Sequence, residues 1–178
     1  TRNWKQKNID IGNQYKVRWI DIDNVDSDKD DLRYRGQNLG GAIFARGEGI
    51  FFSDNMLFFT ATTGGKNKTG QIWKYVPNKN NTGGNIELFY ESNDSNVLNL
   101  PDNIILSPNG NILLCEDGKG RDRLVCIKPD KTVLYLANNA YNHQEFAGIC
   151  FSPNNEILFI NIYHPTMTIA IKGPWNEL

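Results

Sequence analysis

One pattern of short strands recurs three times along the chain. In each copy an apolar strand ends at a serine, and a second apolar run follows after a short turn; the serines are Ser53, Ser107 and Ser152. A repeat of about 50 residues made of short strands is typical of blades arranged around an axis, as in a β-propeller. No long stretch has a helical period, so we expect an all-β fold.

Turn signals rich in glycine, asparagine and aspartate divide each copy into strands. The first copy predicts a four-stranded blade at 49–53, 57–62, 71–75 and 86–90. The second predicts another at 103–107, 112–115, 123–127 and 132–136, and the third predicts strands at 148–152, 157–162 and 168–171 without a fourth. An alternating run at 15–22 predicts an N-terminal strand. The sequence therefore predicts a partial β-propeller, with about three four-stranded blades plus an N-terminal strand.

Length and composition favour one domain. The chain has 178 residues, of which 39% are hydrophobic and 22% charged, so it can bury a sizeable core. We expect a single propeller-like domain at 15–178 and a polar N-terminal segment at 1–14, frayed or held by a neighbour. A closed propeller needs about 4 to 8 blades, so this domain is expected to be incomplete. Open sheet faces favour association with a missing half or with a second copy.

Charge and hydropathy exclude some classes of partner. A net charge of -1 provides no field that would attract a polyanion, so nucleic acid is not expected as a partner. No apolar run approaches the roughly 20 residues needed to span a bilayer, and the first residues do not form a signal peptide. The cysteines at 115, 126 and 150 have neither disulfide-framework nor zinc-site spacing, and we expect them to be core thiols.

Acidic residues stand at similar places in the repeats. Glu48 and Asp102 are equivalent in the first two copies, whereas the third copy has Ala147 there and Glu145 two residues earlier; Glu116 ends the second strand of its blade. Carboxylates that converge on a channel repel one another unless a cation neutralises them, and calcium takes about 6 to 8 oxygen ligands. The alternative is that these residues are solvated or cap turns.

Neighbouring polar residues have two interpretations each. Arg46 could make a bidentate contact with phosphate, or it could form an ion pair with Glu48. Asn103 could contact a ligand or serve the turn. Asp117 could be a second ligand or the first residue of a polar turn, and the turn is favoured.

An acidic run at 21–31 partly matches a calcium-binding loop. Asp31 stands where the EF-hand pattern needs glycine and Gln37 where it needs glutamate, so a solvated charge run is favoured. The sequence has no nucleophile elbow and no P-loop, and only two histidines.

Several motifs together resemble the PhoX-type alkaline phosphatase family. They cover roughly residues 15 to 175 and follow the family order; they lie at 44–49, 59–65, 70–73, 101–103, 113–118, 145–148, 151–153 and 173–175.

This resemblance implies a periplasmic or secreted bacterial phosphomonoesterase with a cluster of calcium and iron in a propeller channel. It implies that Glu48, Asp102 and Glu116 are metal ligands and that Arg46 contacts phosphate, with Glu145 or Asn103 in the same channel. The family segment that carries another ligand glutamate and the iron-bridging cysteine has no counterpart here, so iron is implied by the resemblance alone.

We therefore predict the C-terminal portion of a calcium-dependent phosphomonoesterase that acts on phosphate esters when the missing half is supplied. Two alternatives stay open. One is a non-catalytic propeller fragment that binds metal or a partner, and the other is a calcium-dependent propeller lactonase or esterase.

Overall fold

A computed structural model describes residues 1–120 and 122–178. These residues form short strands and one short helix: β1 (Gln14–Arg18), α1 (Leu32–Asn38), β2 (Gly47–Ser53), β3 (Met56–Ala61), β4 (Gln71–Pro77), β5 (Gly83–Glu91), β6 (Pro101–Leu106), β7 (Ile112–Glu116), β8 (Arg123–Ile127), β9 (Val133–Asn138), β10 (Phe146–Phe151), β11 (Ile157–Ile162) and β12 (Met167–Lys172). Each strand predicted within the repeats is present, with ends that differ by a few residues.

The strands form three antiparallel sheets, which we call blades 1, 2 and 3. Blade 1 has the order β1-β5-β4-β3-β2, blade 2 the order β6-β7-β8-β9, and blade 3 the order β10-β11-β12. The predicted all-β fold, a partial propeller, is confirmed. The predicted N-terminal strand is shorter than expected because its ladder ends where Arg18 pairs with Gly83, the first residue of β5. Beyond this pair, the Trp19 N–H donates to the Thr82 carbonyl at 3.1 Å, in the connection before β5.

Antiparallel pairing places the connections at two opposite ends of the blades. The site rim contains the starts of β2, β6 and β10 and the connections that follow β3, β5, β7, β9 and β11. The turn rim contains the tight hairpins. Two repeat serines close these hairpins: Ser107 Oγ accepts a hydrogen bond from the Asn111 N–H at 3.1 Å, and Ser152 Oγ accepts one from Ile157 at 3.0 Å.

The hydrophobic core lies between neighbouring blades, with blade 2 in the middle. All five residues of β7 are buried. Because side chains alternate along a strand, Ile112 and Leu114 pack against blade 1 residues, whereas Leu113 and Cys115 pack against blade 3 residues. A strand that is buried on both faces explains why this part of the sequence is a continuous apolar run.

Blades 1 and 2 meet through direct backbone contact. A Cβ atom at Gly49 would lie 2.2 Å from the Asp102 carbonyl oxygen, so only glycine allows β2 to approach β6 this closely. The hydroxyl of Thr60 donates to the Asp102 carbonyl at 2.9 Å, and that of Thr62 donates to the Pro101 carbonyl at 2.8 Å. These bonds satisfy β6 carbonyls at the junction between the blades.

The N-terminal segment packs on blade 1 and is not frayed. Asn3 is buried, its amide donates to Glu91 Oε2 at 2.8 Å, and its side-chain oxygen accepts the Ile9 N–H at 3.1 Å. The Trp4 indole donates to the Thr63 carbonyl at 2.6 Å. Such buried side-chain bonds leave no periodic pattern in a sequence, so the expectation of fraying could not anticipate them.

The acidic run at 21–31 is folded around one arginine of α1, a helix that was not predicted. Arg35 donates to the carbonyls of Asp23 and Asn24 at 2.7 and 2.8 Å, and its Nε donates to Asp31 at 3.1 Å. At seven residues, α1 is too short to produce a clear helical period. Among the described residues, no helix is long and apolar enough to cross a membrane.

Substitution of Gly49 by alanine tests the junction between blades 1 and 2. The added Cβ must displace the β6 backbone, so we expect a loss of at least about 2 kcal/mol in the free energy of unfolding, measured by urea denaturation. Gly47 is the matched control, because a Cβ there meets no atom within 4 Å. Gly47→Ala should stay within about 0.5 kcal/mol of the wild type. Equal effects of the two substitutions would contradict the described junction.

Candidate metal-binding site

The site rim is built from one hydrogen bond that recurs in each blade. We call the residue just before each innermost strand its lead residue. The carbonyl of the lead residue accepts the N–H of the residue that follows the second strand: Arg46 from Thr62 at 2.8 Å, Leu100 from Asp117 at 2.9 Å, and Glu145 from Tyr163 at 3.1 Å. This bond fixes which side chains stand at the rim.

A β-bulge follows each lead residue. In each innermost strand two residues oppose one residue of the neighbouring strand, and these pairs are 48–49, 102–103 and 148–149. A bulge bends the strand and changes the direction of its side chains. Glu48 and Asp102 are the first residues of their bulges, so these two acids occupy equivalent places at the site rim.

Three carboxylates converge at the site rim: Asp102, Asp117 and Glu145. Each offers an oxygen, and the three oxygens lie within 4.8 Å of one another. They come from the bulge of β6, the end of β7 and the lead residue of β10, so blades 2 and 3 together form this acidic group. All three side chains are half-buried.

The acidic group holds like charges that repel one another. Burial raises the pKa of Glu145 to about 7, helped by a hydrogen bond with Asp117 and by the charges of Asp117 and Asp102. Burial also raises the pKa of Asp102, and repulsion from Glu48 and Asp117 adds to this effect. A cation placed among these oxygens would remove the repulsion.

Arg46 connects blade 1 to the acidic group. Its Nε donates to Glu48 Oε1 at 3.0 Å, and its Nη2 pairs with Asp117 Oδ2. Its Nη1 has no partner among the residues that the structure describes. The backbone of Arg46 has φ 56°, but Leu100, the lead residue of blade 2, has φ 52°. The lead residues of blades 1 and 2 share this left-handed conformation, so it is not specific to the arginine.

Glu116 lies outside the acidic group. It is buried, Arg123 donates to its two oxygens from Nε at 2.5 Å and from Nη2 at 2.6 Å, and the Asn99 N–H donates to it at 2.7 Å. Its role as a metal ligand stays a prediction.

Sequence reasoning favoured a turn role for Asp117, which the structure instead brings to Asp102 and Glu145. Strand alternation could have distinguished Glu116 from Asp117, since consecutive side chains along a strand point to opposite faces.

Asn103 connects blades 2 and 3. Its amide nitrogen donates to Asp102 Oδ1 at 3.0 Å, and its amide oxygen accepts the Gly148 N–H at 2.7 Å. The side chain thus orients a carboxylate of the acidic group. Its predicted contact with substrate stays a prediction.

The cysteines lie elsewhere. Cys115 and Cys126 are buried, and burial raises the pKa of both thiols, which makes them inert. Cys150 is exposed, so the expectation of a core thiol is wrong there. It lies on β10 of the last blade, where no further blade covers that face in the described chain.

Comparison with known proteins identifies the family. The family profile described as Alkaline phosphatase PhoX matches residues 5–166. The chain belongs to the PhoX alkaline phosphatase family. No curated protein matches the chain.

A solved structure of a PhoX protein has a similar fold. Pseudomonas fluorescens PhoX, solved in complex with vanadate, a transition state analogue, superposes with a TM-score of 0.66 at 19% sequence identity. The match covers 79% of this chain and 36% of that chain. The present PhoX chain therefore spans little more than a third of the length of this neighbour.

A fourth carboxylate lies behind the acidic group. Asp122 is buried, and its Oδ1 accepts the Gly118 N–H at 2.8 Å. Burial raises its pKa to about 6, and repulsion from Glu116 and Asp117 adds to the rise. The folded state therefore binds this proton more tightly than the unfolded chain does.

The pH dependence of stability should show the effect of Asp122. Between about pH 4 and pH 6 the folded state holds more protons, so the free energy of unfolding falls as the pH rises. Asp122→Asn keeps the acceptor for Gly118 and removes the charge. In the presence of a chelator, we expect this variant to match the wild type near pH 4 and to exceed it by roughly 2 kcal/mol above about pH 7. If urea denaturation gives the same dependence of the unfolding free energy on pH for both proteins, the raised pKa of Asp122 is contradicted.

Proposed function

We propose that this chain is part of a calcium-dependent PhoX-type phosphomonoesterase and that its site rim supplies part of the active site. The observation that carries the proposal is the convergence of Asp102, Asp117 and Glu145 within 4.8 Å, beside the guanidinium of Arg46. Membership of the family supports a phosphate ester as the substrate.

The donor set fits a hard cation. Carboxylate oxygens are the ligands that calcium prefers. Burial raises the pKa of Glu145, and the neighbouring carboxylates raise it further, so a cation among them would relieve both costs. Three carboxylates leave room for further ligands, because calcium takes about 6 to 8 oxygens. Glu116 would have to leave Arg123 to reach a cation, so the proposed set is Asp102, Asp117 and Glu145, with Glu48 next to them.

Iron has weaker support from the residues of this chain. Among the described residues the converging group contains oxygen donors and no cysteine. Iron therefore rests on the family resemblance alone.

Arg46 is suited to hold the phosphate group. Its side chain is 40% exposed, and Glu48 and Asp117 hold two of its nitrogens, which fixes the plane of the guanidinium. The Nη1 donors can meet phosphate oxygens in this geometry, and a planar guanidinium binds phosphate more specifically than a lysine does. A calcium ion bound to the neighbouring carboxylates would polarise the phosphoryl group.

The proposal includes a partner for the open side of the site. The match covers only 36% of the Pseudomonas fluorescens PhoX chain, and Glu48 is still 36% exposed at the rim. Ile50 and Phe52, on the same strand, are each 63% exposed. We propose that further blades, or a second copy, complete the channel there. A periplasmic or secreted location is part of the same proposal and rests on the family.

Phosphatase assays with and without a chelator test the proposed activity. The chain, completed with the remaining blades of a PhoX-type propeller, should release phosphate from an aryl phosphate and lose this activity when calcium is chelated. Asp102→Asn should lower kcat/KM at least about 10-fold, because it weakens the hold on the cation. Asp54→Asn is the matched control, since Asp54 is exposed and lies in the β2–β3 turn on the opposite rim.

Three outcomes would contradict the proposal. Full activity after chelation would remove the metal from the reaction. Hydrolysis of a lactone without hydrolysis of the phosphate ester would indicate a propeller lactonase. Calcium binding without turnover of either substrate would indicate a non-catalytic binding module.

A further inference from the structure

A buried asparagine organises the connection that leads to Glu145. Asn139 follows β9 and is 2% exposed. Its side-chain oxygen accepts the N–H groups of Tyr141 and Asn142 at 3.0 and 3.1 Å. Its amide donates to the Gln144 carbonyl at 2.6 Å and to Asn142 Oδ1 at 2.7 Å. All the hydrogen-bonding capacity of this one side chain thus fixes the five residues before Glu145.

The same residue is bonded to the connection that carries Asp117. The Asn139 N–H donates to the Asp122 carbonyl at 2.9 Å, and the Asp122 carboxylate accepts the Gly118 N–H at 2.8 Å. Gly118 directly follows Asp117. A continuous series of hydrogen bonds therefore links the backbone next to Asp117 with the backbone next to Glu145.

We propose that Asn139 is a positioning residue for cation binding, a role that rests on the proposed function. It touches neither the cation nor the substrate. By fixing both connections, it holds the Asp117 and Glu145 carboxylates close together before a cation arrives. Two like charges would otherwise move apart, and the binding of a cation would have to reverse that separation.

Asparagine suits this position for a chemical reason. An amide provides two N–H donors and one oxygen with two lone pairs, and Asn139 uses both kinds of group. Aspartate at this position would lack the donors to the Gln144 carbonyl and to Asn142, and it would add a negative charge behind the acidic group. Alanine would leave these partly buried backbone groups without the partners that Asn139 provides.

Calcium titration calorimetry on the purified 178-residue chain tests the role. Loss of an outer-shell partner commonly weakens metal affinity about 10- to 100-fold, and we expect this range for Asn139→Ala. Asn78→Ala is the matched control. Asn78 organises a turn on the turn rim, with its oxygen accepting the Thr82 N–H and its amide donating to the Thr82 hydroxyl, each at 3.1 Å. The calcium affinity of the Asn78→Ala variant should stay within about twofold of that of the wild type.

A spectroscopic measurement separates positioning from general destabilisation. Terbium ions replace calcium, and their luminescence lifetime shortens when a water molecule takes the place of a protein ligand. We expect a shorter lifetime for Asn139→Ala under conditions where its near-ultraviolet circular dichroism matches the wild type. If this variant does not fold, Asn142→Ala removes one acceptor of the same network, and it should weaken calcium binding at least about threefold.

The results also separate this inference from the proposed function. If the wild type binds no calcium, the proposed metal site is wrong and the positioning role falls with it. If the wild type binds calcium and folded Asn139→Ala binds it equally well with an unchanged terbium lifetime, only the positioning role is overturned. If Asn139→Ala cannot fold, unchanged binding by Asn142→Ala overturns it in the same way.

Discussion

The close backbone contact between the innermost strands is the constraint on which the rest of the structure depends. Gly49 lets β2 approach the Asp102 carbonyl, and the hydroxyls of Thr60 and Thr62 satisfy carbonyls of β6. With the innermost strands held together, the bulges of neighbouring blades lie side by side. The same contact that packs the blades therefore gathers polar side chains at one rim, and the site follows from the way the blades pack.

Two neighbouring acids at the end of β7 show how the structure separates stability from function. Glu116 is buried and forms an ion pair with Arg123, which offsets the cost of burying its charge. Asp117, one residue later, joins other carboxylates at the rim, where Arg46 neutralises only part of the charge. A rim with excess negative charge destabilises the fold slightly, and the binding of a cation would recover that loss.

The sequence predicted the architecture well because strand repeats carry a strong periodic signal. It also singled out Asp102 and Glu145, which the structure brings into one acidic group, because both stand at or just before the start of an innermost strand. The sequence did not distinguish the surroundings of Glu116 from those of Asp117. These depend on the direction of each side chain at the end of β7 and on the ion pair between Glu116 and Arg123, which lies on the next strand. The buried bonds of Asn3 and the contacts of Arg35 were missed for a related reason. They join a single polar side chain to backbone groups and to carboxylates elsewhere in the chain, which produces no periodicity.

Calcium affinity of two neighbouring variants tests the central claim most directly. Titration calorimetry should compare Asp117→Asn with Glu116→Gln in the purified chain, with folding of each variant checked by circular dichroism. We expect Asp117→Asn to weaken calcium binding at least about 10-fold, whereas Glu116→Gln should lower stability and leave the affinity within about threefold of the wild type. The reverse result, with affinity lost at Glu116 and retained at Asp117, would contradict the proposed site.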